Sequence, residues 1–261
     1  AERRSMNAPL DAVLVSPPRG PDSGPRGWRA SLTLGFALRG TRSTLVRRAH
    51  HGPLVLQKPL YPEGDGVCHG ILVHPPAGIA GGDDLEVGVE VDEGAHALIT
   101  TPGAGKWYRS AGARGRLTQR IRVEAGGVCE WLPQESIVFD RALGDLVTEV
   151  DLASDAVFLG MEMLCLGRTG SGERFRAGEL ALSTRIRRDG KVLWLERGRL
   201  QGGGALLDAS PGLAGEPVTA TLVAAAPVIS QDLLERCRDE RPEAGEGAVT
   251  LLPGLLVARY L

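Results

Sequence analysis

The sequence predicts a mainly β protein, built as stacked mixed β-sheets or an irregular β-solenoid-like arrangement, with a short helix near the C-terminal part. Three observations carry that expectation. Short apolar segments recur with the period-two alternation of half-buried strands, clearest where Leu85, Val87, Val89 and Val91 interleave with Glu86, Gly88 and Glu90. Glycine supplies 36 of 261 residues, about twice its usual share, and with 17 prolines it implies many turns. Only one stretch reads as helix.

Residues 1–27 are rich in Pro, Gly and Arg and read as a flexible arm, leaving residues 28–261 as a single β-rich domain. Strands are expected over Trp28–Leu38, Leu54–Leu60, Gly70–His74, Leu85–Val91, His96–Thr101 and Leu117–Glu124. They continue over Val128–Leu132, Ser136–Asp140, Val147–Leu152 and Val157–Leu166. A hairpin follows: Leu180–Arg188 and Lys191–Glu196 flank Asp189-Gly190, the dipeptide that supplies the positive φ angles of a type I′ turn. Val218–Ala225 and Val249–Tyr260 complete the strands. Ser230–Asp239 reads as the helix, with Ser230 as its cap, Asp232 in its first turn and Leu233, Leu234 and Cys237 as its apolar stripe. No clean repeat period is visible, so a regular solenoid is not expected.

The charge balance of 30 basic and 32 acidic residues argues against a general nucleic-acid binder. Four widely spaced cysteines without a C-x-x-C pair suit reduced thiols in a cytoplasmic protein. No apolar run reaches the length of a membrane span.

Catalytic motifs fail when tested. The stretch Thr101-Pro-Gly-Ala-Gly-Lys106 suggests a phosphate loop, but Thr100 and Trp107 stand where such a loop needs Gly and Ser or Thr. No G-x-S-x-G elbow and no H-E-x-x-H helix is present. His69 and His74, five apart on an expected strand, point to opposite faces and cannot chelate together. The carboxylates Asp83, Asp84, Glu135, Asp140 and Glu173 sit in or beside turns, where Asp commonly bonds backbone amides.

Several longer blocks go further. His74-Pro-Pro-Ala-Gly-Ile-Ala-Gly-Gly-Asp-Asp84 resembles the H-P-P-G-G-(I/V)-x-x-G-D signature of the UreD (UreH) family of urease accessory proteins. Ala95–Ala104, Lys106–Ser110, Glu130–Glu135, Ile137–Arg141, Gly172–Phe175 and Leu256–Leu261 follow in that family's order and spacing. Ala77 stands where members commonly have Gly, and Gly105 where they carry a hydroxyl residue. Relatives run on past Arg259-Tyr260-Leu261 into a helical tail, at the point where this sequence stops.

The resemblance implies a non-enzymatic metallochaperone scaffold. It implies binding to apo-urease with UreF and the GTPase UreG, within a dimeric accessory complex, and delivery of nickel to the urease site. Nickel would be transient cargo on several weak oxygen groups, with no tightly bound cofactor. The residues expected along such a passage are Asp83, Asp140 and Glu173 as metal-facing carboxylates and Thr100 and Thr101 as its lining. His74, Gly78, Gly81 and Gly82 form the signature turn. Two other classes compete: a β-solenoid-like carbohydrate hydrolase using Glu135 and Asp140 as paired carboxylates, and a structural clamp with no metal path.

Overall fold

The structure, a computed structural model, describes residues 27–261. The expected arm, apart from Gly27, lies outside the described residues. Strands β1 (Arg29–Arg39) and β2 (Arg42–His51) open as a hairpin, followed by β3 (Val55–Leu56) and β4 (Cys68–Val73). The chain then winds through β5 (Asp84–Val91), β6 (His96–Thr100), β7 (Gly105–Trp107), β8 (Gly115–Val123), β9 (Val128–Trp131) and β10 (Ser136–Val138). Next come β11 (Leu143–Leu152), β12 (Val157–Leu166), β13 (Glu179–Arg188) and β14 (Lys191–Gln201). Helix α1 (Ala205–Asp208), β15 (Val218–Ala225), α2 (Gln231–Asp239), β16 (Gly247–Leu252) and β17 (Leu255–Tyr260) complete it.

Two sheets stack. The first runs β14-β13-β11-β8-β5-β1-β2 and the second β16-β17-β15-β12-β9-β6-β4-β3. From β4 to β13 the chain alternates between them, and each strand pairs in parallel with the strand one coil away. A third, narrow strip joins β7, β10 and β12 in parallel. There Ile79, Trp107, Val138 and Leu166 stack in register, all buried. This is a solenoid-like winding with antiparallel strands added at its ends. Leu85 pairs with Leu117, Leu117 with Leu146 and Leu146 with Leu182, so successive coils advance by 32, 29 and 36 residues. Unequal loops explain why no period is visible in the sequence.

The alternation explains the layers. Val87, Val89, Val91, Ile121, Val123, Val150 and Leu152 face inward and meet Ala97, Ile99, Cys129, Trp131 and Phe158 of the second sheet. Burying each large side chain contributes about 1.5–3 kcal/mol. The outer face of the first sheet is charged and self-satisfying. Arg120 bonds Glu86 and Glu149, Arg185 bonds Glu149 at 2.6 Å, and Arg187 bonds Asp151 at 2.8 Å. The outer face of the second sheet is different: Leu98, Leu159, Met161, Met163 and Leu222 lie half-buried upon it.

The helix forms as expected, with Ser230 Oγ accepting from the Leu233 amide at 3.1 Å. The hairpin turn has Asp189 at φ 48° and Gly190 at φ 75°. Two strand readings need correction, and two strands were missed. Val249–Tyr260 is a hairpin, because Pro253-Gly254, with Gly254 at φ 70°, turns the chain. The strand expected over Leu54–Leu60 shrinks to Val55–Leu56. β2 and β7 escaped the sequence reading: β2 is an exposed edge strand rich in Arg and His, without an alternating apolar face.

Candidate functional site

The second sheet carries its chemistry at a position where alternation would place a hydrophobe. Along β12 the inward positions are Phe158, Gly160, Glu162, Leu164 and Leu166. Glu162 pairs in register with Thr221 of β15, and Thr221 with Arg259 of β17. A matching row crosses the first sheet, where Val87, Gln119, Thr148, Thr184 and Glu196 are successive neighbours on β5, β8, β11, β13 and β14. Apolar rows flank it on both sides, Leu85-Leu117-Leu146-Leu182 and Val89-Ile121-Val150-Ile186. Thr148 donates to Gln119 Oε1 at 2.9 Å, both side chains being buried.

Between these rows lies a cavity of about 500 Å³. Its wall runs from the turns holding His74, Thr101 and Lys106 to Glu162, Glu196 and Thr221. The short threonine side chains leave it unfilled, whereas the Phe158 ring packs over Gly160. Glu162 is half-buried on the cavity wall, and desolvation there, with repulsion from Glu196, pushes its carboxyl up to about 7 while Arg259 opposes the rise. Arg259 also closes a 2.6 Å ion pair with Glu196, joining the two sheets at the half-exposed edge. On the same wall the His74 Nε2 is buried without a hydrogen-bond partner. Burial lowers the His74 pKa, with Asp83 opposing, which favours the neutral ring. Among the described residues, no group of three or more His, Cys, Asp or Glu is arranged to hold a metal.

The residues expected from the sequence fall in three places. His74 and Thr101 line the cavity, although the Thr101 hydroxyl donates to the Gly103 carbonyl and accepts from the Gln134 amide, both at 3.0 Å. Thr100 donates to the Leu132 carbonyl at 2.7 Å. Asp83 is buried in the signature turn, accepting from the Trp28 and Ala80 amides at 2.8 Å each.

That turn needs its glycines: Gly82 stands at φ 93°, and a Cβ at Gly78 would lie 2.5 Å from the Tyr108 ring. At Gly81 a Cβ would collide with Ser110 Oγ.

Asp140 and Glu173 come together elsewhere, beside Arg168. Asp140 Oδ1 accepts from the Arg176 and Ala177 amides at 2.8 and 2.9 Å. Glu173 pairs with Arg168 at 2.7 Å, which holds its carboxyl below the usual range, and Arg168 lies 4.5 Å over the Phe139 ring.

Sequence reading missed Gln119, Thr148, Thr184, Glu162, Glu196 and Arg259. A signal was present, since Glu162 and Thr148 occupy inward parity positions within otherwise apolar alternation.

The protein is a solenoid-like β-sandwich with one polar row threaded through an otherwise apolar interior. The chain belongs to the UreD family of urease accessory proteins: the family model described as UreD urease accessory protein matches residues 29–261. Among curated relatives named urease accessory protein UreD, that of Azoarcus sp. (strain BH72) is 68% identical over 234 residues, covering 90% of this chain and 82% of the relative. The Pseudomonas aeruginosa (strain UCBPP-PA14) protein is 52% identical over 235 residues, covering 90% and 83%. The Dechloromonas aromatica (strain RCB) protein is 48% identical over 238 residues, covering 90% and 83%. No helix among the described residues is long and apolar enough to cross a membrane.

Proposed function

We propose that this chain is a non-catalytic scaffold that acts in the cytoplasm. It binds apo-urease together with UreF and UreG, within a dimeric accessory complex, and passes nickel toward the urease site through the cavity between its sheets. The cavity, whose mostly apolar wall is crossed by one row of polar side chains, is the observation that carries this reading. A hydrated divalent cation crossing a protein interior needs oxygen groups that partly replace its water, each weak enough to release it. The row Gln119-Thr148-Thr184-Glu196 offers such groups in register, and Glu162 faces the same space.

In this reading His74 and Thr101 belong to the wall, and Asp83 and Thr100 hold its turns in shape. Asp140 and Glu173, together beside Arg168, stand where the ion would meet the outside of the chain. The half-buried apolar face of Leu98, Leu159, Met161, Met163 and Leu222 supports docking of a protein partner, since such a face is more favourable covered than wet.

The test is coexpression with apo-urease and the UreF- and UreG-type proteins, measuring nickel per urease active site with and without this chain. Copurification of the four components with a marked rise in nickel content is expected. Equal nickel content in its absence would reject the reading.

A further inference from the structure

On the outer face of the first sheet the chain matches its arginines with carboxylates, as Arg120, Arg185 and Arg187 show. At the turns beside the narrow strip it does not. Arg109 follows β7, Arg141 follows β10, and Arg168, Arg174 and Arg176 lie between β12 and β13; all are exposed. Backbone bonds zip these turns into one surface. Arg109 forms an isolated β-bridge with Ala142, the Ser110 amide donates to the Arg141 carbonyl at 3.0 Å, and the Arg141 amide donates to the Ala177 carbonyl at 2.8 Å. Asp140 accepts from the Arg176 and Ala177 amides, so its carboxylate holds backbone instead of neutralising a guanidinium. Phe175 is buried between Arg174 and Arg176, which leaves both flanking side chains on the outside.

The arginines are held in place but left without counter-charge. Arg141 stands at φ 66°, a left-handed conformation that is costly for a residue with a side chain, and the bonds to Ser110 and Ala177 fix it there. Arg168 lies 4.5 Å over the Phe139 ring, which Tyr108 meets edge-on at 5.3 Å, and Glu173 pairs with it at 2.7 Å. Arg141 reaches only the occupied Asp140, at 3.9 Å. Among the described residues, the guanidinium groups of Arg109, Arg174 and Arg176 have no hydrogen-bond or ion-pair partner. Clustered like charges repel one another and weaken the fold unless an opposite charge is brought to them. We infer that Arg109, Arg141, Arg168, Arg174 and Arg176 form a docking surface for an acidic segment of a partner protein. A guanidinium fork takes a carboxylate in two parallel hydrogen bonds, and arginine with aromatic side chains is the composition of protein interfaces. The Asp140 and Glu173 carboxylates set among the arginines disfavour a phosphate chain, whereas separate carboxylate side chains pass between them.

The test measures fluorescence anisotropy of a short fluorescein-labelled poly-L-glutamate peptide with the full chain. The native protein is compared with the double variant Arg174→Glu/Arg176→Glu and with Arg39→Glu/Arg241→Glu, which makes the same charge change at exposed arginines elsewhere. The first variant should bind about tenfold or more weakly, because desolvated charge pairs are lost. The second should change by less than about twofold, since charges beyond a Debye length are screened. Far-ultraviolet circular dichroism checks folding, and the milder Arg174→Ala/Arg176→Ala should weaken binding in the same direction. No binding by the native chain at low salt, equal weakening in both reversal variants, or tighter binding of a labelled oligouridylate would each overturn the surface, the last by making it a nucleic-acid site. A second arm rests on the scaffold reading above for its partners: coexpression with apo-urease and the UreF- and UreG-type proteins. There Arg174→Glu/Arg176→Glu should lose a component that the native chain copurifies, and full retention of every component would overturn the docking role. If the native chain itself recruits none of them, the scaffold reading fails and the peptide measurement alone decides the surface.

Discussion

Glu196 and Arg259 meet at 2.6 Å across the gap between the two sheets, one from β14 and the other from β17, with side chains 38% and 49% exposed. Half-exposed ion pairs contribute only about 0–1 kcal/mol, because water and salt already screen both charges. Arg259→Gln is therefore expected to lower the unfolding free energy by no more than about 1 kcal/mol at physiological salt. Urea denaturation measures it. A loss of several kcal/mol would mean that the pair clamps the sheets together.

Glu162 should make stability depend on pH in an unusual direction for a carboxylate. Its folded pKa, about 7, lies above the ordinary 4.5. The native state then holds the proton more tightly than the unfolded chain, so its contribution is complete below about 4.5 and lost as pH rises through about 7. Each tenfold change in ionisation constant is worth about 1.4 kcal/mol, so about 3 kcal/mol should disappear across that window. Glu162→Gln should abolish this slope and be the more stable protein at pH 8. Denaturation at a series of pH values decides it, and parallel curves would place the carboxyl in wetter surroundings.

Ala77 is a non-glycine residue at φ 59°, in the turn that leads to Gly78. A left-handed alanine costs about 1–2 kcal/mol, partly offset because glycine gains more freedom on unfolding. Ala77→Gly is expected to stabilise the chain by up to about 1 kcal/mol. Gly82→Val, at φ 93°, should instead cost about 2 kcal/mol or more and reduce soluble yield. Thermal melting of both variants is the measurement, and a stable Gly82→Val protein would contradict the turn geometry.

Asp140 and Glu173 should separate under mutation. Asp140→Ala leaves the Arg176 and Ala177 amides without their acceptor, at about 1–3 kcal/mol, so complex yield and urease activation should fall together. Glu173→Ala gives up the ion pair with the half-exposed Arg168 guanidinium and a hydrogen bond at the Arg168 backbone. Complex yield should hold, and a fall in nickel per urease site would then be a direct effect on transfer. Parallel losses for Glu173→Ala would remove it from the route.

Leu222 tests the outer face of the second sheet. Its side chain is half-buried and it is not among the residues lining the cavity, so Leu222→Arg should fold with near-native stability. Copurification with a UreF-type partner should drop sharply, because a charge desolvated in an apolar interface is costly. Undiminished copurification would put docking on another surface.

Much of the fold was legible because alternation survives wherever one face is buried. β5, β12 and β15 were readable for that reason, and Ser230 announced α2 through its cap. β2 was not legible, since an edge strand made of Arg42, Arg47, Arg48, His50 and His51 has no buried face to imprint a pattern. The hairpin at Pro253-Gly254 was hidden because apolar residues continue on both sides of the turn.

The site was harder to read. Glu162, Glu196 and Arg259 lie far apart in sequence and meet only through cross-strand register and the stacking of two sheets. Turn-borne residues such as Asp83 and Asp140 stood out in the sequence, yet their carboxylates are occupied by backbone amides.

The antiparallel ends of the winding bear on self-association. Parallel coils stacked without a stop present the same bonding edge above and below, and such edges propagate from molecule to molecule. Here β2 reverses against β1 at one end of the first sheet and β14 reverses against β13 at the other. Both terminal strands carry arginines, Arg42, Arg47 and Arg48 on one and Arg197 and Arg199 on the other, that discourage a second copy from adding on. The number of coils is thereby set by its two charged stops. A duplicated coil inserted between them would lengthen the stack without creating a new open edge.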